Sequence, residues 1–249
     1  MTNQCYFAKV GLNKIDERRL LFEMSKVKLI RSTPQQQQEA RRIIQIPNHP
    51  VLYDAITMLR KTTTNNERFR QYTDRAADFL MIEATRDLPL TSKRIETPLG
   101  HTTQSVLKSD VVRFVAILRA GLALWPRRFL PKSRMSTIGI VRDEETAKPH
   151  LYQQKLDPAI SGKKIILLDP MLATGGSACA ALALLVQKGV EPADVTFVCV
   201  IAAVAGVLFL HQEYPSVKII GAALDNHLTT SYYIYPGLGD FGCRYFGTD

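Results

Sequence analysis

Leu167-Leu168-Asp169-Pro170-Met171-Leu172-Ala173-Thr174-Gly175-Gly176-Ser177 decides the fold class. An apolar run that ends in an acidic residue and passes through a small-residue loop into a helical pattern is a strand-loop-helix unit of an α/β sheet. Ala173, Gly175, Gly176 and Ser177 carry little or no side chain. Backbone N–H groups there can close around phosphate oxygens, and the N-terminus of the following helix adds partial positive charge. Asp169 stands where a carboxylate reaches the hydroxyls of an attached ribose. The loop has neither the Lys of a triphosphate-binding P-loop nor the G-x-G-x-x-G of a dinucleotide fold, so neither reading fits. An ordinary strand-to-helix turn with Ser177 as N-cap is the alternative that the loop alone leaves open.

Further apolar runs flank this unit. Residues 111–118, 137–141, 165–168, 195–202 and 218–223 read as strands covered on both faces, with Arg113 the only charge in the first. Helical patterns over residues 177–188, closed by Gly189, and more weakly over residues 204–213 alternate with them. Such alternation predicts an α/β fold with a mainly parallel twisted sheet flanked by helices. Ligands of these sheets bind beyond the strand carboxyl ends, and Arg119, Arg142, Asp169 and Asp225 all fall there. Upstream, Phe69, Tyr72, Ala76, Phe79, Leu80 and Ala84 recur at helical spacing over residues 68–88, with Asn65 or Asn66 as cap and Pro89 as stop.

A chain of 249 residues with 46% hydrophobic content can bury a substantial core. Residues 1–45, with Gln35-Gln36-Gln37-Gln38 and Lys26, Lys28, Arg31, Arg41 and Arg42, read as a polar extension, and residues 46–249 as the folded domain. No apolar run approaches the roughly 20 residues that span a bilayer, and the start is no signal peptide, so a cytoplasmic protein with no membrane contact is expected. Cys5, Cys179, Cys199 and Cys243 lack C-x-x-C spacing and His neighbours, which favours reduced thiols, with Cys179 and Cys199 as core residues. A net charge of +9 suits strongly anionic substrates and would equally suit nucleic acid. No aromatic residues interleave with the basic residues Lys26, Lys28, Arg31, Arg41 and Arg42 and no nucleic-acid motif follows them, so nucleic-acid binding is not expected. None of His49, His101, His150, His211 and His227 has a neighbour that suggests catalysis.

Asp169 to Ser177 resembles the 5-phosphoribosyl diphosphate (PRPP) loop of the uracil phosphoribosyltransferase family. Tyr233-Ile234-Tyr235-Pro236-Gly237-Leu238-Gly239-Asp240-Phe241-Gly242 resembles its uracil-binding segment. Ile117-Leu118-Arg119-Ala120-Gly121, Arg142-Asp143-Glu144-Glu145-Thr146 and Gln154-Lys155-Leu156 resemble further family blocks in the same order, so the likeness spans residues 46–249. The chain departs from the family in three places. Val204-Ala205 stands where the family has Pro and then an acid or amide, Cys243 stands for an acid, and Thr229 stands for Asn.

The resemblance implies a type I phosphoribosyltransferase-like fold with a small C-terminal hood, and conversion of uracil and PRPP to UMP and pyrophosphate in pyrimidine salvage. It assigns PRPP to Arg119, Arg142, Asp169, Pro170, Met171, Leu172, Ala173, Thr174, Gly175, Gly176, Ser177 and Asp240. Uracil falls to Ile234, Tyr235, Gly239, Asp240 and Phe241, and catalysis to Asp169, Asp240 and Arg119. It also implies Mg²⁺ held by PRPP and water rather than by a protein cage, a homodimer or homotetramer, and in some members a GTP effector. Asp143, Glu144 and Glu145 read either as a solvated turn or as part of a loop closing over PRPP. The departures keep a second reading open, a catalytically weak relative that binds PRPP or UMP and regulates a partner.

Overall fold

A computed structural model describes residues 29–125, 130, 133–142 and 149–248, the side chains of Arg142 and Pro149 excepted. Cys5, Lys26, Lys28, the Arg142 side chain and Asp143 to Thr146 therefore lie outside the described residues. The described chain opens with β1 (Leu29–Arg31), α1 (Pro34–Ile43), β2 (Ile44–Gln45), α2 (Pro50–Arg60) and α3 (Asn66–Ala84). A two-stranded ribbon follows, β3 (Leu90–Thr97) with β4 (Gly100–Leu107), and its residues are largely exposed. Next come β5 (Val112–Leu118), β6 (Arg134–Arg142), β7 (Pro149–Lys155), β8 (Lys164–Leu168), β9 (Met171–Leu172), α4 (Gly176–Gln187), β10 (Val195–Ala203), α5 (Val204–Glu213) and β11 (Lys218–Asp225). The chain closes with β12 (His227–Thr229), β13 (Ile234–Tyr235) and α6 (Phe241–Phe246).

The central sheet runs β2-β11-β10-β8-β5-β6-β7, and every neighbouring pair is parallel except β6 with β7. Its strands read as unbroken apolar runs because both faces are covered. On β5, Phe114 and Ala116 join a core that contains Leu52, Leu59, Phe69 and Leu80 from α2 and α3. Val115 and Ile117 point the other way, into a core built with Ala40 of α1, Leu182 of α4 and Val207 of α5. The result is the three-layer α/β architecture expected from the alternation. Arg113 is 1% exposed, and its charge is met by Asp157 at 2.6 Å and Asp110 at 2.7 Å.

The polar extension does not stay apart from the fold over residues 29–45. β1 pairs antiparallel with β12, and β2 extends the main sheet beside β11. The glutamine tract lies in α1, which starts with a complete capping box: Thr33 Oγ1 accepts from Gln36 N–H while Gln36 Oε1 accepts from Thr33 N–H. Polar composition hid a helix because only Ala40 and its neighbours need to face the core. α3 ends at Ala84, five residues before Pro89, with Thr85 Oγ1 turned back onto the Met81 carbonyl. Asn65 is its N-cap, accepting from Arg68 N–H at 3.0 Å.

From β5 the chain passes to β6 on one side and returns to β8 on the other. The loops leaving β5 and β8 therefore diverge, and a crevice opens at the carboxyl ends of these two strands. A small hood of three strands, β1-β12-β13, is separate from this sheet, and α6 packs against α3 and residues 120–124 just after β5. The hood is thus built from both ends of the described chain, whereas the C-terminal segment alone was expected to form it.

Candidate active site

The four polar residues placed at strand ends are there. Arg119 follows β5, Arg142 ends β6, Asp169 follows β8 and Asp225 ends β11. Arg119 and Asp169 flank the crevice. The Arg119 guanidinium lies 5.1 Å over the Phe246 ring and donates to Thr248 Oγ1 at 3.3 Å, so the strand-end cation touches the C-terminal hood. The Leu118–Arg119 and Tyr235–Pro236 peptide bonds are both cis.

Asp169 is 9% exposed, with Oδ1 accepting from Met171 N–H at 3.3 Å, while its own N–H donates to the Val198 carbonyl. Pro170 and Leu172 are buried, and Met171 and Leu172 pair with Ile201 and Ala202 of β10. The loop is thereby tied to the sheet along one side, and Ala173 to Ser177 make the bend into α4. Gly175, not Ser177, is the N-cap of α4; it has φ +88°, a left-handed conformation that disfavours any side chain. Ser177 is buried two residues further on, as the second residue of α4. The bend is held from behind by α5: a Cβ on Gly206 would stand 2.6 Å from the Ala173 carbonyl oxygen and 2.7 Å from that of Leu172.

Two of the departures from the family pattern have a structural reading at this point. Val204 and Ala205 are the first two residues of α5, Val204 fully buried and Ala205 exposed. The change spares Gly206, the residue of that block against which the loop packs. Thr229 is buried and closes the turn before β13: its Oγ1 accepts from Tyr233 N–H at 3.1 Å and its own N–H donates to the Tyr233 carbonyl at 2.8 Å.

In the C-terminal segment, Asp240 is the N-cap of α6, accepting from Cys243 N–H at 2.8 Å. Ile234 and Phe241 are buried, and the Phe241 ring packs edge-on to Phe69 at 5.4 Å and stacks on Tyr245 at 5.6 Å. The Phe241 side chain therefore serves the core, which leaves its backbone for any base contact. Tyr235 and Gly239 are half-buried at the turn. Cys199 lies in the core with its thiol pushed up by burial and, less, by the Asp169 charge; half-buried Cys179 is pushed up to about 12 by burial and then by Glu213.

Two arginines that the sequence did not single out hold this turn. Arg60, the last residue of α2, grips Asp225 with both terminal nitrogens at 2.7 Å and also donates to the Gly237 carbonyl at 2.8 Å. Asp225 Oδ2 in turn accepts from Gly237 N–H at 2.9 Å. Arg244, buried in α6, donates to the carbonyls of Leu59, Lys61 and Leu238 at 2.5–2.6 Å and lies 4.4 Å over the Phe69 ring. Burial pulls its pKa down to about 10, well above neutrality, so it stays a cation. A single Arg at a helix end carries no motif. The signal that could have found Arg60 is its place in the last turn of an amphipathic helix, where a cation meets unpaired carbonyls.

Among the described residues no group of three or more His, Cys, Asp or Glu could hold a metal, and no helix is long and apolar enough to cross a membrane.

Residues 46–248 match the protein family described as uracil phosphoribosyltransferase. The chain is similar to the uracil phosphoribosyltransferase of Lacticaseibacillus paracasei, with 42% identity over 203 residues, 81% of this chain and 96% of that one. It is also similar to that of Dictyoglomus thermophilum, with 41% identity over 205 residues, 82% and 98% of the two chains. Among solved structures, the AQ2163 protein of Aquifex aeolicus matches with a TM-score of 0.77 at 31% identity, covering 83% of this chain and 99% of that one.

Proposed function

The chain belongs to the uracil phosphoribosyltransferase family, and on that premise we propose that it is an enzyme of pyrimidine salvage that joins uracil to the ribose of PRPP. The bond from ribose C1 to the pyrophosphate oxygen breaks, a bond from uracil N1 to C1 forms, and the N1 proton leaves to solvent or to pyrophosphate. UMP and pyrophosphate are the products.

Each residue has a role in this reading. The bend at Ala173 to Ser177 takes the 5-phosphate on backbone N–H groups at the start of α4. Asp169 holds the ribose hydroxyls, and with Asp240 supplies negative charge as C1 gains oxocarbenium character. Arg119 and Arg142 grip the departing pyrophosphate. The turn around Gly239 offers the base a backbone donor and acceptor, which match uracil O4 and N3–H, while the amino group of cytosine would leave polar groups unpaired. Phe241 supports the turn from the core.

The observation that supports the reading is the contact of Arg119 with Phe246 and Thr248, because it brings the cation assigned to pyrophosphate against the end of the segment assigned to the base. The Asp169 carboxylate, a hard oxygen donor at a strand end, suits a nearby Mg²⁺ that would take its shell from water and PRPP oxygens. Bound in that way, Mg²⁺ would neutralise charge on the leaving pyrophosphate. A cytoplasmic homodimer or homotetramer, with GTP as a possible effector in the family, completes the proposal.

Formation of UMP on mixing the protein with uracil, PRPP and Mg²⁺, with and without GTP, tests it. PRPP binding without turnover would instead favour the regulatory reading that Cys243 and Val204-Ala205 motivate.

A further inference from the structure

The base segment is short of structure of its own: β13 has two residues and α6 has six, and the turn between them belongs to no strand ladder. What fixes it is α2. Three groups of the turn are engaged by two guanidinium groups and one carboxylate that converge on the C-terminal end of that helix. Gly237 O accepts from Arg60, Gly237 N–H donates to the Asp225 carboxylate that Arg60 holds, and Leu238 O accepts from Arg244. Arg244 reaches on to the Leu59 and Lys61 carbonyls on either side of Arg60. Asp225 is 7% exposed, and the Arg60 side chain 26%. The Arg60–Asp225 pair is planar-fork recognition of a carboxylate, which fixes orientation as well as distance.

We propose that Arg60, acting through Asp225 and together with Arg244, is a positioning clamp that sets the base-binding turn and thereby the affinity for uracil. The inference rests on the proposed uracil activity. The clamp leaves the phosphate side alone: none of its hydrogen bonds reaches Asp169 to Ser177. The Gly237 and Leu238 carbonyls each accept from an arginine, and Gly237 N–H is taken by Asp225, so the clamp fixes the backbone just before Gly239 and Asp240, the residues assigned to the base. Losing the Arg60 fork releases the Gly237 carbonyl and the Asp225 carboxylate and changes how the turn is presented.

The test is steady-state kinetics of the full chain and its Arg60→Met and Arg60→Lys variants, with each substrate varied in turn. Arg60→Met should raise the KM for uracil about tenfold or more while the KM for PRPP stays within about twofold, as expected when a bound group is misplaced by a fraction of an ångström. Lys keeps the charge but cannot hold Asp225 and Gly237 in one fork, so Arg60→Lys should fall between the two. A purely structural arginine would lower kcat through loss of folded protein, or raise both KM values together, and either result overturns the clamp. Should Arg60→Met not fold, the Arg60→Lys split between the two KM values decides. A wild-type chain that makes no UMP overturns the activity and the clamp with it; normal wild-type turnover with an unchanged uracil KM in both variants overturns the clamp alone.

Discussion

Asp240 has two duties that one substitution can separate. Its Oδ1 caps α6 through Cys243 N–H, and its charge is assigned to the developing cation on ribose. Asn caps a helix as well as Asp does, so Asp240→Asn keeps the hydrogen bond and removes the charge. The expected outcome is a fall of about 100-fold or more in kcat, the scale seen when one electrostatic stabiliser is lost. The melting temperature should move by less than about 2 °C, since a surface change within about 0.5 kcal/mol shifts a chain of this size little. Turnover near that of the wild type would remove Asp240 from the chemistry and leave it a cap. At the same scale, Phe241 shows how a residue inside a matching motif can serve packing: its ring is spent on Phe69 and Tyr245.

Among the elements, α5 supports the loop assigned to phosphate more directly than its own sequence suggests. Gly206 lets the Leu172 and Ala173 carbonyls approach the helix, so Gly206→Ala must push the loop outward. The KM for PRPP should rise about tenfold or more and that for uracil less than about twofold, the opposite of the split expected at Arg60. Equal kinetics for variant and wild type would show that the loop tolerates the displacement. The strands and helices that surround this loop were legible because their physics is local. Unbroken apolar runs gave β5, β8, β10 and β11 almost to the residue, and Gly189 with φ +79° marked the end of α4. What escaped is long-range or sparse. α1 hides its apolar face among glutamines, β3 and β4 depend on each other rather than on a hydrophobic pattern, and Arg60 meets Asp225 across 165 positions. The strand-end residues Arg119, Asp169 and Asp225 could be read because fold topology places them, whereas the arginines that hold the turn could not.

The molecule as a whole depends on carboxylates held low by their partners. Asp157 is kept below the usual carboxylate range by the Ala159 N–H and then by the Arg113 guanidinium, against the opposing effect of burial. Asp110 is held low by Lys163 and then Arg113, and Glu83 by Arg86. Groups depressed on folding contribute stability above their unfolded pKa, near 4, and lose it as the pH falls through the folded value. Melting temperature should therefore hold between about pH 7 and 5 and drop below about pH 4. Asp157→Asn should lower it at neutrality and flatten the acid limb; an unchanged limb would contradict this. Basic overall, at +9, and with its phosphate loop and strand-end arginines at one edge of the sheet, the chain suits a substrate with a triply phosphorylated ribose. The most direct test of the central claim is nucleotide formation from PRPP and Mg²⁺ with uracil, cytosine, hypoxanthine and orotate offered separately. Turnover of uracil alone is the predicted result; turnover of another base in its place, or of none by a folded protein that binds PRPP, would contradict it.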